Sequence, residues 1–327
     1  MHEDDGRVRP KAGARFGGML GQWRRGRDAR SPDALVLYFA FGSQGSAVLE
    51  GRVIDRQVLR TNALLDSRTI NLRRNLQLLF NRERGQLPVT ASVFGRSWTV
   101  TTDIEGYFRI ALDDLDPLAS GWHRVEVTSG SATAHIPLLL IPPQNAHGVI
   151  SDFDDTLMIT EVNRRWRMLA NTFLRNPLQR RVVEGMPAAF RKLASRNVVP
   201  TAAPLFFLSA SPRQLHMPLQ AVLDHNGFPP GVLITKRVTN DSTREPILDQ
   251  MRYKLARCED ILARTPGVRF TLIGDDGEHD PEIFHRFASQ HADRIERIYI
   301  RRVHPNPLRA KIEGQADVLE LLSELAQ

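Results

Sequence analysis

Two textures of apolar and polar positions divide the chain. From about Leu35 to Ile141, apolar residues come in short runs of four to seven that alternate with polar ones and stop at turn residues: Leu35 to Phe39, Ala47 to Val53, Pro88 to Phe94, Ser97 to Thr101, Tyr107 to Leu112, His123 to Thr128 and Ala134 to Leu140. Such spacing predicts seven short strands packed as a β-sandwich. One segment breaks the series, since Leu72, Leu76 and Leu79 recur at helical spacing and predict a helix over Arg68 to Arg84. Beyond Pro142-Pro-Gln-Asn145 the runs become continuously apolar and alternate with helical stretches of ten to twenty residues. Gly148 to Ile150, Leu205 to Leu208, Val232 to Ile234, Phe270 to Ile273 and Ile298 to Ile300 predict strands of a parallel α/β sheet, buried on both faces. The expected organisation is a basic tail over residues 1–31, a β-sandwich over 32–145 with its helical insertion, and an α/β domain over 146–327.

Composition adds limits. At 327 residues with 42% hydrophobic content, the chain has material for two domains. Its longest apolar stretch, Ile136 to Ile141 with Pro137 inside, is far short of the roughly 20 residues a membrane span needs. The N-terminus lacks the apolar core of a secretory signal, and Cys258 is the single cysteine, so a reducing, cytoplasmic setting is expected. The net charge of +7 is concentrated. Residues 1–30 hold eight Arg/Lys against four Asp/Glu, and residues 160–200 hold nine against Glu161 and Glu184.

Three of the predicted strands end abruptly in polar residues. Ile150 gives way to Ser-Asp152-Phe-Asp154-Asp155-Thr156, Leu208 to Ser209-Ala-Ser211, and Ile273 to Gly-Asp275-Asp276-Gly-Glu278-His279-Asp280. Residues just past the carboxyl ends of adjacent parallel strands converge on one crevice, so these acids meet. Clustered carboxylates repel one another unless a cation neutralises them, and an all-oxygen set suits Mg²⁺. Asp152 and Asp154, one residue apart on extended chain, face the same side. A carboxylate can act as a nucleophile toward a phosphoryl group, and a second acid can protonate the leaving alkoxide and then activate water.

Asp152-Phe-Asp154-Asp-Thr156, Ser209 after an apolar run, Tyr253-Lys254 on a helix and Asp275-Asp-Gly-Glu-His-Asp280-Pro-Glu-Ile-Phe284 resemble, in order and spacing, the four motifs of haloacid-dehalogenase-superfamily phosphatases. More narrowly, they resemble the catalytic domain of the actin-patch phosphatidate phosphatase family, over about Gly148 to Val303. The segments around Val89, Thr102 and Gly121 resemble a transthyretin-like sandwich. The resemblance implies a haloacid-dehalogenase-like parallel sheet flanked by helices and a Mg²⁺-dependent phosphatase acting on phosphatidate. Asp152 would be nucleophile and metal ligand; Asp154 would be general acid/base and bind metal through its carbonyl. Ser209 and Lys254 would hold the phosphoryl group. Asp275 would complete the metal site with Asp276 or Asp280, because Asp276 stands where the family is expected to have serine.

Other readings compete at several positions. Ser211 precedes Pro212 and reads as a helix N-cap, leaving Ser209 as the phosphoryl contact; Asp280 precedes Pro281 and reads equally as cap or ligand. Asp155 reads as a turn residue, and Glu278 and His279 as supports of the metal loop. Thr156 and the basic cluster Arg164, Arg165 and Arg167, which lies beside Trp166 and Met168, are assigned to substrate contact, with an anionic membrane surface as a peripheral partner. A soluble phosphomonoester is the alternative substrate, a non-catalytic scaffold the alternative class, and nucleic acid is disfavoured as a partner.

Overall fold

Two-residue turns with both residues in the left-handed region set the first hairpins. Gln44 and Gly45 (φ 50° and 85°) link strand β1, Asp33–Ser43, to β2, Ser46–Asp55, and Phe94 and Gly95 (φ 52° and 71°) link β3, Pro88–Val93, to β4, Arg96–Thr101. These mirror-image turns match the twist of the strands they join. The computed structural model describes residues 33–55, 85–116, 119–158, 182–237, 250–303 and 311–326. The expected tail (1–31), the helix over Arg68 to Arg84, and Arg164, Arg165 and Arg167 lie outside the described residues.

With β5 (Tyr107–Leu112), β6 (Gly121–Ser129) and β7 (Ala132–Ile141), all seven predicted strands are present. Hydrogen bonding joins them into one sheet, in the order β4-β3-β6-β7-β1-β2-β5, where a sandwich predicts two separately bonded sheets. The two edge strands, β4 and β5, come close to each other. Alternate residues such as Val89, Ala91, Ile110, Val125, Val127 and Leu138 fill its interior.

The second sheet is wholly parallel and consists of β8 (His147–Asp152), β9 (Leu205–Pro212), β10 (Val232–Lys236), β11 (Arg269–Asp275), β12 (Ile295–Arg301) and β13 (Gln315–Asp317), in the order β10-β9-β8-β11-β12-β13. Apolar residues alternate between its two faces, as expected for strands covered on both sides. On one face Val149, Leu205, Phe207 and Leu233 meet helices α1 (Met186–Ala194), α2 (His216–His225) and α5 (Val318–Ala326). On the other, Ile150, Phe206, Leu208 and Ile234 meet α3 (Gln250–Arg264) and α4 (Asp280–Gln290), together with Tyr38, Phe39 and Phe41 of β1. Phe41 packs edge-on against Phe206 at 4.9 Å, so the first sheet shares a core with the second.

His216, at the start of α2, is buried in this contact with its ring 5.4 Å from that of Tyr38. Burial and then the Arg213 charge push its imidazole down to about 3. Its folded value lies below its unfolded one, so the unfolded chain binds more protons between them. Stability is therefore lost as the pH falls from about 6.5 toward 3, with a slope of up to about 1.4 kcal/mol per pH unit from this group. Urea denaturation across pH 4 to 7 is expected to show a flatter pH dependence for His216→Gln than for the parent chain; identical slopes would refute this role.

Candidate active site

The central position of β8 places its carboxyl end in the middle of the sheet, and Asp152 is its last residue. Phe153 turns into the core, which sends Asp152 and Asp154 to the opposite side, as the one-residue spacing predicts. Asp155 then takes a left-handed conformation (φ 52°), the turn role expected for it. Its carbonyl accepts hydrogen bonds from the Arg301 guanidinium, which also reaches the Met158 carbonyl at 3.4 Å, tying the loop to the end of β12. Arg301 carries no motif signature, and the sequence reading does not include it.

Around Asp152 the far motifs meet. Lys254, 0% exposed on α3, places Nζ 2.7 Å from Asp152 Oδ1 and donates to Asp280 Oδ1. Asp275 ends β11, and its Oδ1 accepts the Gly277 N–H at 2.8 Å. Asp280 Oδ2 accepts the Asp275 N–H at 3.4 Å. Gly274 permits this packing, because a Cβ there would lie 2.7 Å from the Asp280 side chain. Oxygens of Asp152, Asp275 and Asp280 all lie within 4.8 Å of one another.

The electrostatics fit a hard divalent cation. Three buried carboxylates face one ammonium. Burial first, then Asp280, Asp275 and Asp154, raise Asp152 well above the ordinary carboxylate range against the pull of Lys254. Burial and Asp280 push Asp275 up to about 7. Lys254 stays charged, since Asp152 and Asp280 outweigh the burial that pulls it down. Protons or a cation must offset the surplus negative charge, and an oxygen-only set favours Mg²⁺ or a similar ion over softer metals.

Several expectations change. Asp276 does not join the cluster: its Oδ1 accepts the Val303 N–H at 2.7 Å and its Oδ2 lies 3.5 Å from an Arg302 nitrogen, so it braces the end of β12. Asp280, by contrast, lies in the cluster with Asp152 and Asp275. It is the first residue of α4 and not its cap, which is His279. Glu278 accepts a hydrogen bond from Gln250. Thr156, assigned to substrate, is fully buried, and its hydroxyl lies 3.0 Å from Asp275 Oδ2 and 3.3 Å from Asp152 Oδ2, where it spaces the two acids. Ser211 is not an N-cap, because β9 continues through Pro212 and the next turn, Arg213–Leu215, begins without a side-chain cap.

Ser209 and Ser211 instead converge on Asp154. Ser209 Oγ donates to Asp154 Oδ2 at 2.8 Å, and Ser211 Oγ reaches the same oxygen at 3.3 Å. The Ser211 N–H donates to Ser209 Oγ at 3.1 Å, which leaves the Ser209 proton directed at the acid. Tyr253, beside Lys254, donates to the carbonyls of Ser209 (3.2 Å) and Ile234 (3.3 Å), so its hydroxyl bridges β9 and β10. Of the expected site residues within the described segments, Asp152, Asp154, Ser209, Lys254, Asp275 and Asp280 come together.

Residues 147–302, the whole of this constellation, match the family model described as the catalytic domain of Phosphatidate phosphatase APP1. This segment belongs to the APP1 catalytic-domain family. Phosphatidate phosphatase APP1 of Saccharomyces cerevisiae is 33% identical over 155 residues, which cover 47% of this chain and 25% of that protein. An uncharacterized protein of Schizosaccharomyces pombe is 28% identical over 216 residues, covering 63% of this chain and 34% of the relative. The chain therefore aligns with about a quarter to a third of the length of these curated relatives. Among solved structures, a putative beta-phosphoglucomutase from Thermotoga maritima aligns with 55% of this chain and 98% of its own at 15% identity, with a TM-score of 0.35, too low to bear on the assignment. The APP1-type segment ends at β12 and leaves the seven-stranded sheet outside it.

Proposed function

We propose that this chain is a Mg²⁺-dependent phosphatase that cleaves a phosphate monoester through an aspartyl-phosphate on Asp152, with phosphatidate as the substrate. The observation that carries this reading is the position of Asp152 at the end of the central strand, with Lys254 2.7 Å away and Asp275 and Asp280 within 4.8 Å. The parallel sheet flanked by helices is read as haloacid-dehalogenase-like, and the seven-stranded sheet as a transthyretin-like accessory domain. The division into 1–31, 32–145 and 146–327 belongs to the same reading.

Asp152, Asp275 and Asp280, with the Asp154 carbonyl, would hold the ion. When bound, its charge would keep the acids ionised and offset charge on the phosphoryl oxygens. In the first step an Asp152 oxygen forms a bond to phosphorus as the ester P–O bond breaks. Asp154 donates its proton to the departing alkoxide. In the second, water attacks the phosphorus of the acyl phosphate while Asp154 takes its proton, and the Asp152 carboxylate leaves as inorganic phosphate is released. Ser209 turns its hydroxyl from Asp154 to the phosphoryl group, and Lys254 neutralises it. Arg164, Arg165 and Arg167 contact the anionic headgroup or its membrane surface from a chain that is cytoplasmic and peripheral. Among the described residues, no helix is long and apolar enough to cross a membrane.

The test is phosphate release from phosphatidate in mixed micelles and from a panel of soluble phosphomonoesters, with Mg²⁺ or EDTA. Release from phosphatidate that requires Mg²⁺ is expected, together with a Mg²⁺-dependent rise in unfolding temperature. No release from any compound would overturn the enzymatic reading, and release confined to a soluble one would replace the substrate. Changing the three arginines to glutamate should selectively lower release from the micelles; an unchanged rate would remove their assignment.

A further inference from the structure

The seven-stranded sheet contributes no acid to the cluster, yet charged side chains from it reach the loops that frame the site. Glu50 on β2 is 3% exposed. Its Oε1 accepts from Arg109, its cross-strand neighbour on β5, and its Oε2 accepts from Arg213, which directly follows β9. Arg257 of α3 lies 3.9 Å away. Burial acts to raise the Glu50 carboxyl, but Arg213, Arg257 and Arg109 outweigh it and hold it below the usual glutamate range.

Arg213 is itself buried. Its guanidinium lies over the rings of Tyr38 (5.3 Å) and Tyr107 (5.6 Å), and its Nε donates to the Thr235 carbonyl at 3.4 Å. The side chain thus runs from the end of β9 into the first sheet and touches β10 on the way. A second tie flanks it. Arg237, just past β10, pairs with Asp103 and with Glu105 (3.1 Å) on the turn before β5, and stacks on Tyr107 at 4.2 Å.

Arg213 stands two residues past Ser211, whose hydroxyl reaches Asp154 Oδ2 and whose N–H donates to Ser209 Oγ, itself a donor to Asp154. Fixing the Arg213 backbone fixes those donors. We propose that Glu50 is a positioning residue for the reaction: through Arg213 it holds the Ser209–Ser211 end of β9, and with it the orientation of Asp154. The seven-stranded sheet is then part of the catalytic machinery, although it lies outside the matched catalytic segment. A pair of this kind can equally do no more than join two sheets. The hydrogen bond from Ser43 Oγ on β1 to the Arg264 carbonyl on α3 (2.8 Å) crosses the same contact without touching β9 or the Glu50 cluster and supplies the comparison.

The inference rests on the phosphatase reading, and leaving groups separate the two. A general acid contributes about 10² to 10⁴ in rate when the departing oxygen needs a proton, and little when it does not. In the full chain, Glu50→Gln and Arg213→Gln are each expected to lower kcat on an alkyl phosphate, phosphatidate in micelles or glycerol 3-phosphate, at least tenfold more than on p-nitrophenyl phosphate. The ratio of the two rates does not depend on how much of a variant folds. The double variant should be no worse than either single one, and Ser43→Ala should leave the ratio unchanged. An unchanged ratio in Glu50→Gln, an equal change in Ser43→Ala, or additive losses would overturn the inference while leaving the phosphatase standing. A parent chain inactive on every substrate would overturn both.

Discussion

Asp152→Asn is expected to reduce phosphate release by on the order of 10³-fold or more while leaving the fold intact, and in EDTA to unfold no more easily than the parent chain. The activity loss follows from chemistry: an amide is no nucleophile toward phosphorus, and groups that act as a unit in covalent catalysis fail together. The stability result follows from charge. Asp152, Asp275 and Asp280 crowd within 4.8 Å in a buried site, where burial and mutual repulsion raise Asp152 and Asp275. An isosteric neutral group at 152 removes one repelling carboxylate, and Lys254 keeps Asp280 as a partner. Mg²⁺ should then raise the unfolding temperature of the variant less than that of the parent. Retained activity would remove the nucleophile assignment, and a large loss of stability in EDTA would mean that the carboxylates are not in conflict.

The strands of both sheets were legible because burial imposes simple periods: alternation in the first sheet, unbroken apolar runs in the second. The missed strand, β13, spans only Gln315–Asp317 and has no apolar run to betray it. The acids at strand ends were legible for a similar reason, since parallel topology alone brings residues 152 and 275 together. What stayed open or went astray was the choice between neighbours. Asp276 and Asp280 have the same chemistry, and only the backbone after β11 decides that the first turns to Val303 while the second faces Lys254. Ser211 before Pro212 mimics a helix start, but pairing of Lys236 with Pro212 carries β9 past it. Thr156 lies in the motif yet points inward, a fact set by the turn at Asp155. The Glu50–Arg213 contact joins residues 163 apart in different sheets, so no local pattern announces it.

Lys254→Met is expected to fail in the opposite sense from Asp152→Asn, losing both activity and stability. Methionine has nearly the length of lysine and suits the buried stem, so the change removes the charge and little else. Asp152 and Asp280 then lose their common cation while both remain buried. Removing one partner of a buried ion pair costs about 3–5 kcal/mol, because the remaining charges stay buried without compensation. Chemical denaturation in EDTA should show a loss of that order. Mg²⁺ should recover part of it, since a divalent ion neutralises the same carboxylates, whereas activity should remain at least about 10²-fold down because the phosphoryl group has lost its ammonium. Lys254→Arg separates charge from shape: it keeps the cation, but the planar guanidinium is larger and the site is fully buried, so stability should recover more than activity. Stability unchanged in Lys254→Met would show that the acids are already protonated around it and that the ammonium is not what holds them together.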